Sequence, residues 1–359
     1  MVLRFFIRVT IFSTLVLSPL LLLGQETARD RGRAFATELL TSAKLPGFAV
    51  AVSVGDSIVW SEGFGFADVE RREPVTPSTR FRIGSVTKLL TAIAAAQLYE
   101  RGVLDLDSPV QRYVPSFPDK GSTVSTRQLL GHLSGIRHYG RSEFISRVRY
   151  SSVEEALGVF KNDSLLFTPG TKYFYSSYGY VLASAVIEKA SGLDFLRYLS
   201  KEVINRLGMA STVPDYNDPR INQATPYSFD ASNNVALDTT FNDNSIRWAA
   251  GGFLSTANDL TLLGSSLLKD GVLKPETRRL LVTSQKTSDG KETGVGLGWR
   301  IGTDSLGHRF FHHAGVSLGG RAVVMVYPDS KVVVALLTNL SFARIGEKEA
   351  LLLATMFSK

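Results

Sequence analysis

The sequence predicts an α+β fold in which the two chain ends build one lobe around antiparallel strands and a helical lobe is inserted between them. Three observations carry this reading. Strand-like runs near the start give way to helical patterns and return near the end. The late strand-like runs are joined by turns as short as Pro328-Asp329, which calls for antiparallel pairing. One helix, in "RFRIGSVTKLLTAIAAAQLYERG", is too apolar to lie on a surface.

The elements can be justified in chain order. "MVLRFFIRVTIFSTLVLSPLLLLGQE" sets Arg4 and Arg8 before an apolar run from Val9 to Leu23 that Pro19 interrupts. The run is shorter than the ~18–20 apolar residues of a spanning helix and fits a secretory leader, so residues 1–24 are expected to be a signal peptide or an N-terminal anchor. Leu22 is a poor residue three places before a cut after Gly24, which leaves an uncleaved, membrane-associating segment open. An exported protein, periplasmic or secreted, is the expectation. Residues 25–359 then form one domain, with an α/β lobe at about 25–110 and 246–359 and a helical lobe at about 111–245.

Within it, "ETARDRGRAFATELLTSAK" reads as a first helix, and "GFAVAVSVGDSIVWSEGFGFAD" as two strands joined at a Gly55-Asp56 turn. Helices are expected in "TRQLLGHLSG", "SSVEEALGVF", "SYGYVLASAVIEKASG" and "DFLRYLSKEVINRLG". Residues 212–245, rich in Asn, Asp and Pro, read as loop. "TANDLTLLGSSLLKDG" reads as a helix capped by Thr256 and stopped at Gly271. Strands in "GVGLGWRIG", "HRFFHHAG", "GRAVVMVYP" and "KVVVALLTN" precede a closing helix in "GEKEALLLATMF".

Composition narrows the function. The 359 residues are 44% hydrophobic and 20% charged, enough for a sizeable core. Net charge is +7; without Arg4 and Arg8 it is 38 basic minus 33 acidic residues, or +5. The excess is small and unclustered, which argues against a nucleic-acid surface. The absence of cysteine excludes disulfides, thiolate metal sites and cysteine nucleophiles. Adjacent His312 and His313 point to opposite faces of a strand and cannot chelate one metal together, so no metal and no cofactor is expected.

Three motifs carry chemistry. Ser85 and Lys88 stand three apart where the apolar helix begins, so they share a face. Helix-terminal N–H groups there favour an oxyanion, and a lysine among apolar residues loses solvation and becomes a base. A serine hydroxyl needs such a base to attack a carbonyl. Tyr175, in "GTKYFYSSYGY", can relay a proton beside that lysine, while Tyr173, Phe174, Tyr178 and Tyr180 read as packing. His313 and Gly315, in "FHHAGVSLGG", end a strand against which a substrate can lie.

S-x-x-K, Y-S-S and H-A-G in this order resemble the serine beta-lactamase-like family, the group of class C beta-lactamases, D-aminopeptidases and esterases. "LLGHLSGIRHY", "FTPGTKYFYSSYGYVLASAVIEKASG" and "WAAGGFLSTANDL" add to the resemblance. It implies a beta-lactamase/penicillin-binding-protein-like fold and a serine hydrolase that works through an acyl-enzyme on Ser85. Lys88 is then the base and Tyr175 the relay, with Ser177, His313 and Gly315 lining the substrate. The backbone N–H groups of Ser85 and Val316 form the oxyanion hole. Ser177 stands where the family has asparagine and His313 where it has lysine, which argues for a peptidase or esterase ahead of an efficient beta-lactamase. Arg300, Arg309 and Arg321 are candidates for the missing positive charge. His132, Ser134 and His138 could form a triad of their own; the resemblance instead makes their loop scaffold beside the site. Trp248 and Gly251-Gly252 are expected in the cleft wall. The substrate is a small molecule or peptide. The rival expectation is a non-catalytic binding protein, or a penicillin-binding sensor, that keeps the fold; oligomeric state is not encoded in any motif.

Overall fold

In the computed structural model, which describes residues 27–218, 222–238, 240 and 242–358, the strand Gly47–Val54 (β1) is buried at seven of its eight positions. The expected leader at 1–24 lies outside the described residues. No helix among the described residues is long and apolar enough to cross a membrane.

β1 is buried because it is central. It pairs antiparallel with Ser57–Asp68 (β2) through the Gly55-Asp56 turn, where Gly55 takes φ +60°. Glu73–Pro74 (β3) flanks β2. The chain returns to this sheet only with Arg300–Thr303 (β4), Arg309–Ser317 (β5), Gly320–Tyr327 (β6) and Val332–Thr338 (β7). The order is β3-β2-β1-β7-β6-β5-β4, antiparallel throughout. Successive side chains face opposite ways. Phe48, Val50 and Val52 therefore meet helices Ala28–Ser42 (α1) and Glu347–Phe357. Ala49 and Ala51 meet the core on the other face, which holds helices Thr87–Glu100 (α2), Ser177–Ser191 (α3) and Ala257–Ser265 (α4).

α2 is the axle of that core: every residue from Thr87 to Leu98 is buried. Its Leu89, Leu90, Ile93 and Leu98 side chains each gain about 1.5–3 kcal/mol from burial. Ser85 does not lie on the α-helix itself, as the spacing suggests, but on a single 3₁₀ turn, Gly84–Val86, that leads into it.

Other differences have local causes. The helix expected at 126–135 is only Thr126–Leu130, because Gly131 ends it and His132 turns to φ +60°. The helix capped by Thr256 stops at Ser265, six residues before Gly271; the Ser266 hydroxyl donates to the Leu263 carbonyl there and competes with the helical ladder. The strand expected at 294–302 begins only at Arg300, since Gly294 and Gly298 take φ +70° and +86°. Residues 212–245 are mostly loop but include a small hairpin, Tyr227–Phe229 with Val235–Leu237.

β5 lies directly on the 3₁₀ turn. A Cβ on Gly315 would sit 1.9 Å from the Ile83 carbonyl oxygen and 2.8 Å from the Ser85 nitrogen. Gly84 has φ +47°, and a Cβ there would sit 2.5 Å from the Val316 carbonyl oxygen. Gly315→Ala should therefore cost about 1–3 kcal/mol, the usual range for overpacking. Urea unfolding measures this, and a midpoint equal to wild type would show that strand and turn separate freely.

Candidate active site

Ser85 is half-buried between buried neighbours Gly84 and Val86, so its hydroxyl is the part of the turn that opens outward. Lys88, one turn into α2, is fully buried. Its Nζ lies 3.1 Å from Ser85 Oγ, 3.1 Å from Ser177 Oγ and 2.7 Å from the Ala250 carbonyl oxygen, to which it donates. Thr91 donates to Ala249 from the next turn, so residues 248–251 are fastened along α2. Burial, helped by the nearby Arg300 charge, holds the Lys88 pKa well below the usual lysine value.

Tyr175 donates from its hydroxyl to Ser85 Oγ at 2.8 Å. Burial pushes this phenol up to about 12, so it is a proton donor at neutral pH. The start of α3 holds the tyrosine in place. Ser176 caps α3 by accepting from the Gly179 N–H at 3.0 Å. Two further donors at this helix start meet imidazoles: the Ser176 N–H reaches His132 Nδ1 at 3.2 Å, and the Ser177 N–H reaches His138 Nδ1 at 3.1 Å. The His132 ring packs 4.4 Å from the Tyr175 ring, and its left-handed backbone is strain placed beside the site. Burial lowers both imidazoles, His138 to about 4.

The cavity over these groups measures about 480 Å³. Ser85, Tyr175, Ser177, His313 and Val316 line it. Gly315 does not; it backs the site by letting β5 touch the 3₁₀ turn. That contact sets the backbones of Ser85 and Val316 side by side. His313 donates from Nδ1 to the Ala314 carbonyl at 2.8 Å, and burial keeps its pKa well below the usual value, so it is neutral.

Positive charge comes from arginine. Arg300 and Arg321 line the cavity, whereas exposed Arg309 turns away to the Val282 carbonyl. Arg247, which no sequence motif marks, also lines it, its guanidinium over the Tyr139 and Phe144 rings. Glu347 is the only carboxylate in the lining among the described residues. His138, expected as scaffold, faces the cavity; Ser134 and His132 do not. Gly251 forms part of the wall, and Trp248 lines a neighbouring cavity with Tyr216. Among the described residues no group of three or more His, Cys, Asp or Glu could hold a metal ion.

A serine hydroxyl between an amine whose pKa burial holds low and a protonated phenol, beside a strand edge with backbone donors, is suited to acyl transfer. The comparisons with known proteins agree with that setting. The beta-lactamase family profile matches residues 33–354. The chain is 34% identical to the mitochondrial serine beta-lactamase-like protein of Homo sapiens, over 79% of this chain and 69% of that protein. Penicillin-binding protein 4* of Bacillus subtilis is 26% identical, over 81% of this chain and 67% of that protein. The solved structure of the octameric penicillin-binding protein homologue from Pyrococcus abyssi matches with a TM-score of 0.77 at 29% identity, covering 87% of this chain and 73% of that one. Sequence and fold thus agree along most of the molecule, and the chain belongs to the beta-lactamase family.

Proposed function

We propose that the protein is a serine hydrolase that cleaves an amide or ester through an acyl-enzyme on Ser85, with peptidase or esterase action ahead of beta-lactamase action. The observation that carries this is the set of contacts around the Lys88 amine. Its nitrogen lies within donor reach of three oxygens, the Ala250 carbonyl, Ser177 Oγ and Ser85 Oγ, so once uncharged it keeps two N–H bonds for the first two and turns its lone pair to Ser85. Lys88 then takes the Ser85 proton as Oγ bonds to the substrate carbonyl carbon. The oxyanion forms against the N–H groups of Ser85 and Val316. Tyr175 gives its proton to the departing group and is reprotonated from Lys88. Water repeats the sequence on the ester and frees Ser85. The arginines suit a substrate with an anionic group within reach of the cavity. The leucine-rich segment at 1–24 supports an activity outside the cytoplasm.

Ser85→Ala should abolish turnover and labelling by a fluorophosphonate probe, with a melting temperature close to wild type because one small oxygen is lost. A labelled or active variant would sink the assignment.

Lys88→Met should lower kcat by about 10²–10⁴, the usual worth of a positioned base. His313→Ala should cost less and act partly on KM. Kinetics on any ester the wild type hydrolyses, with circular dichroism as the folding control, compare them. The reverse order would make the histidine the base.

The pH dependence has a fixed sign. Lys88 is inert when protonated, so kcat/KM should rise with pH through the lysine pKa and level off well below 10.5. A plateau reached only above that value would mean that the ammonium persists in the folded protein.

A further inference from the structure

β4 pairs with β5 only from Arg309 to His312. Beyond His312 the outer edge of β5 has no strand neighbour among the described residues, and this free stretch carries Val316. Its direction must be fixed from elsewhere. β5 turns into β6 through Leu318 and Gly319, with Ser317 opposite Gly320. Leu318 is buried, and a carbonyl inside a two-residue turn lies outside the ladder, so it needs another donor. Arg82 supplies it. Its Nη1 donates to the Leu318 carbonyl at 2.9 Å, its Nε to Asp215 Oδ2 at 2.8 Å and its Nη2 to Asn217 Oδ1. Asp215 is buried and neutralises the guanidinium. Arg82 stands three residues before Ser85, on a short strand, Phe81–Arg82, that pairs with Phe253–Ser255. Its backbone also lies against the turn: a Cβ on Gly320 would sit 2.7 Å from the Arg82 carbonyl oxygen. One side chain thus ties the end of β5 to the segment that leads into Ser85, without lining the cavity itself.

We propose that Arg82 is a positioning residue for the oxyanion hole: by holding the Leu318 carbonyl it fixes the end of β5, and with it the direction of the Val316 N–H relative to Ser85. It touches no reacting atom and acts through the turn. This rests on the acyl-transfer reading above and adds a residue to it. A donor aimed in advance at the developing oxyanion stabilises the transition state more than the bound substrate, so loss of the clamp falls on kcat.

The test uses Arg82→Lys, whose ammonium keeps the charge but cannot span all three acceptors. Its kcat on a p-nitrophenyl ester should fall about 10–10²-fold, the cost of a small misplacement, with KM little changed. The Ki of a boronic acid, which captures Ser85 as a tetrahedral anion with one oxygen in the oxyanion hole, should rise by the same factor. Asn217→Ala, which leaves the bond to Leu318 in place, should keep both values. Circular dichroism and melting temperature control for folding. Wild-type values in Arg82→Lys, a loss confined to KM, or lost activity with an unchanged boronate Ki overturns the proposal. So do equal losses in Asn217→Ala, because the effect then lies in residues 215–217 and not in the turn. If Arg82→Lys does not fold, the wild type decides. In ¹⁵N-arginine-labelled protein the Arg82 Nη protons should give separate signals, their rotation slowed by their partners; averaged signals overturn the proposal. A wild type that takes no fluorophosphonate and turns over no ester fails the hydrolase reading and this one with it, whereas an active wild type beside an unchanged Arg82→Lys removes Arg82 alone.

Discussion

The site is organised by the burial of one amine. A charged lysine with no carboxylate beside it in a buried setting costs several kcal/mol, and the chain answers by holding the Lys88 pKa well below its usual value and giving its nitrogen three oxygen neighbours. Those neighbours come from the turn before α2, from the first residue of α3, and from residues 248–251. The core cannot satisfy the amine unless these three segments meet, so the burial that lowers the Lys88 pKa also assembles its surroundings.

The polar shell around that point is layered by charge. Nearest Ser85 burial works against charge on every titratable group: an amine held low, a phenol held high, and imidazoles kept unprotonated. The formal charges of Arg247, Arg300 and Arg321 stand in the cavity wall. Transfer of a proton among Ser85, Lys88 and Tyr175 creates charge in a low-dielectric setting, where neighbouring donors and acceptors count for more than in water. The cavity wall also acts on the centre: the Arg300 charge contributes to keeping the Lys88 pKa low.

Local chemistry made much of this visible in the sequence. Gly55-Asp56 specifies a hairpin, Thr256 caps a helix, and the apolar run after Ser85 announces a buried one. The proximity of Ser85 and Lys88 follows from their spacing alone. The contact of Tyr175 with Ser85 does not, because it spans ninety residues and had to be carried by family likeness. Arg247 carries no local mark, and His138 is marked only as part of a loop beside the site: what turns them to the cavity is the packing of one loop on Tyr139 and the start of α3. Gly294 and Gly298 misread as strand since alternation of apolar residues says nothing about φ. His132 misreads as helix for the complementary reason, a left-handed backbone at a non-glycine residue held by tertiary bonds.

The sheet order has a kinetic side. β1 is flanked by β2, its immediate neighbour in sequence, and by β7, whose Thr338 stands opposite Phe48 and donates to the Gly47 carbonyl. Closing that pair means bringing together positions nearly the whole chain apart, the kind of contact that slows folding most. Until Val332–Thr338 has been made, β1 keeps an unpaired edge of backbone amides flanked by alanine and valine side chains, the template on which other chains add. A nascent chain thus carries this open edge until Val332–Thr338 has been made, and β7, not β2, completes the pairing of β1.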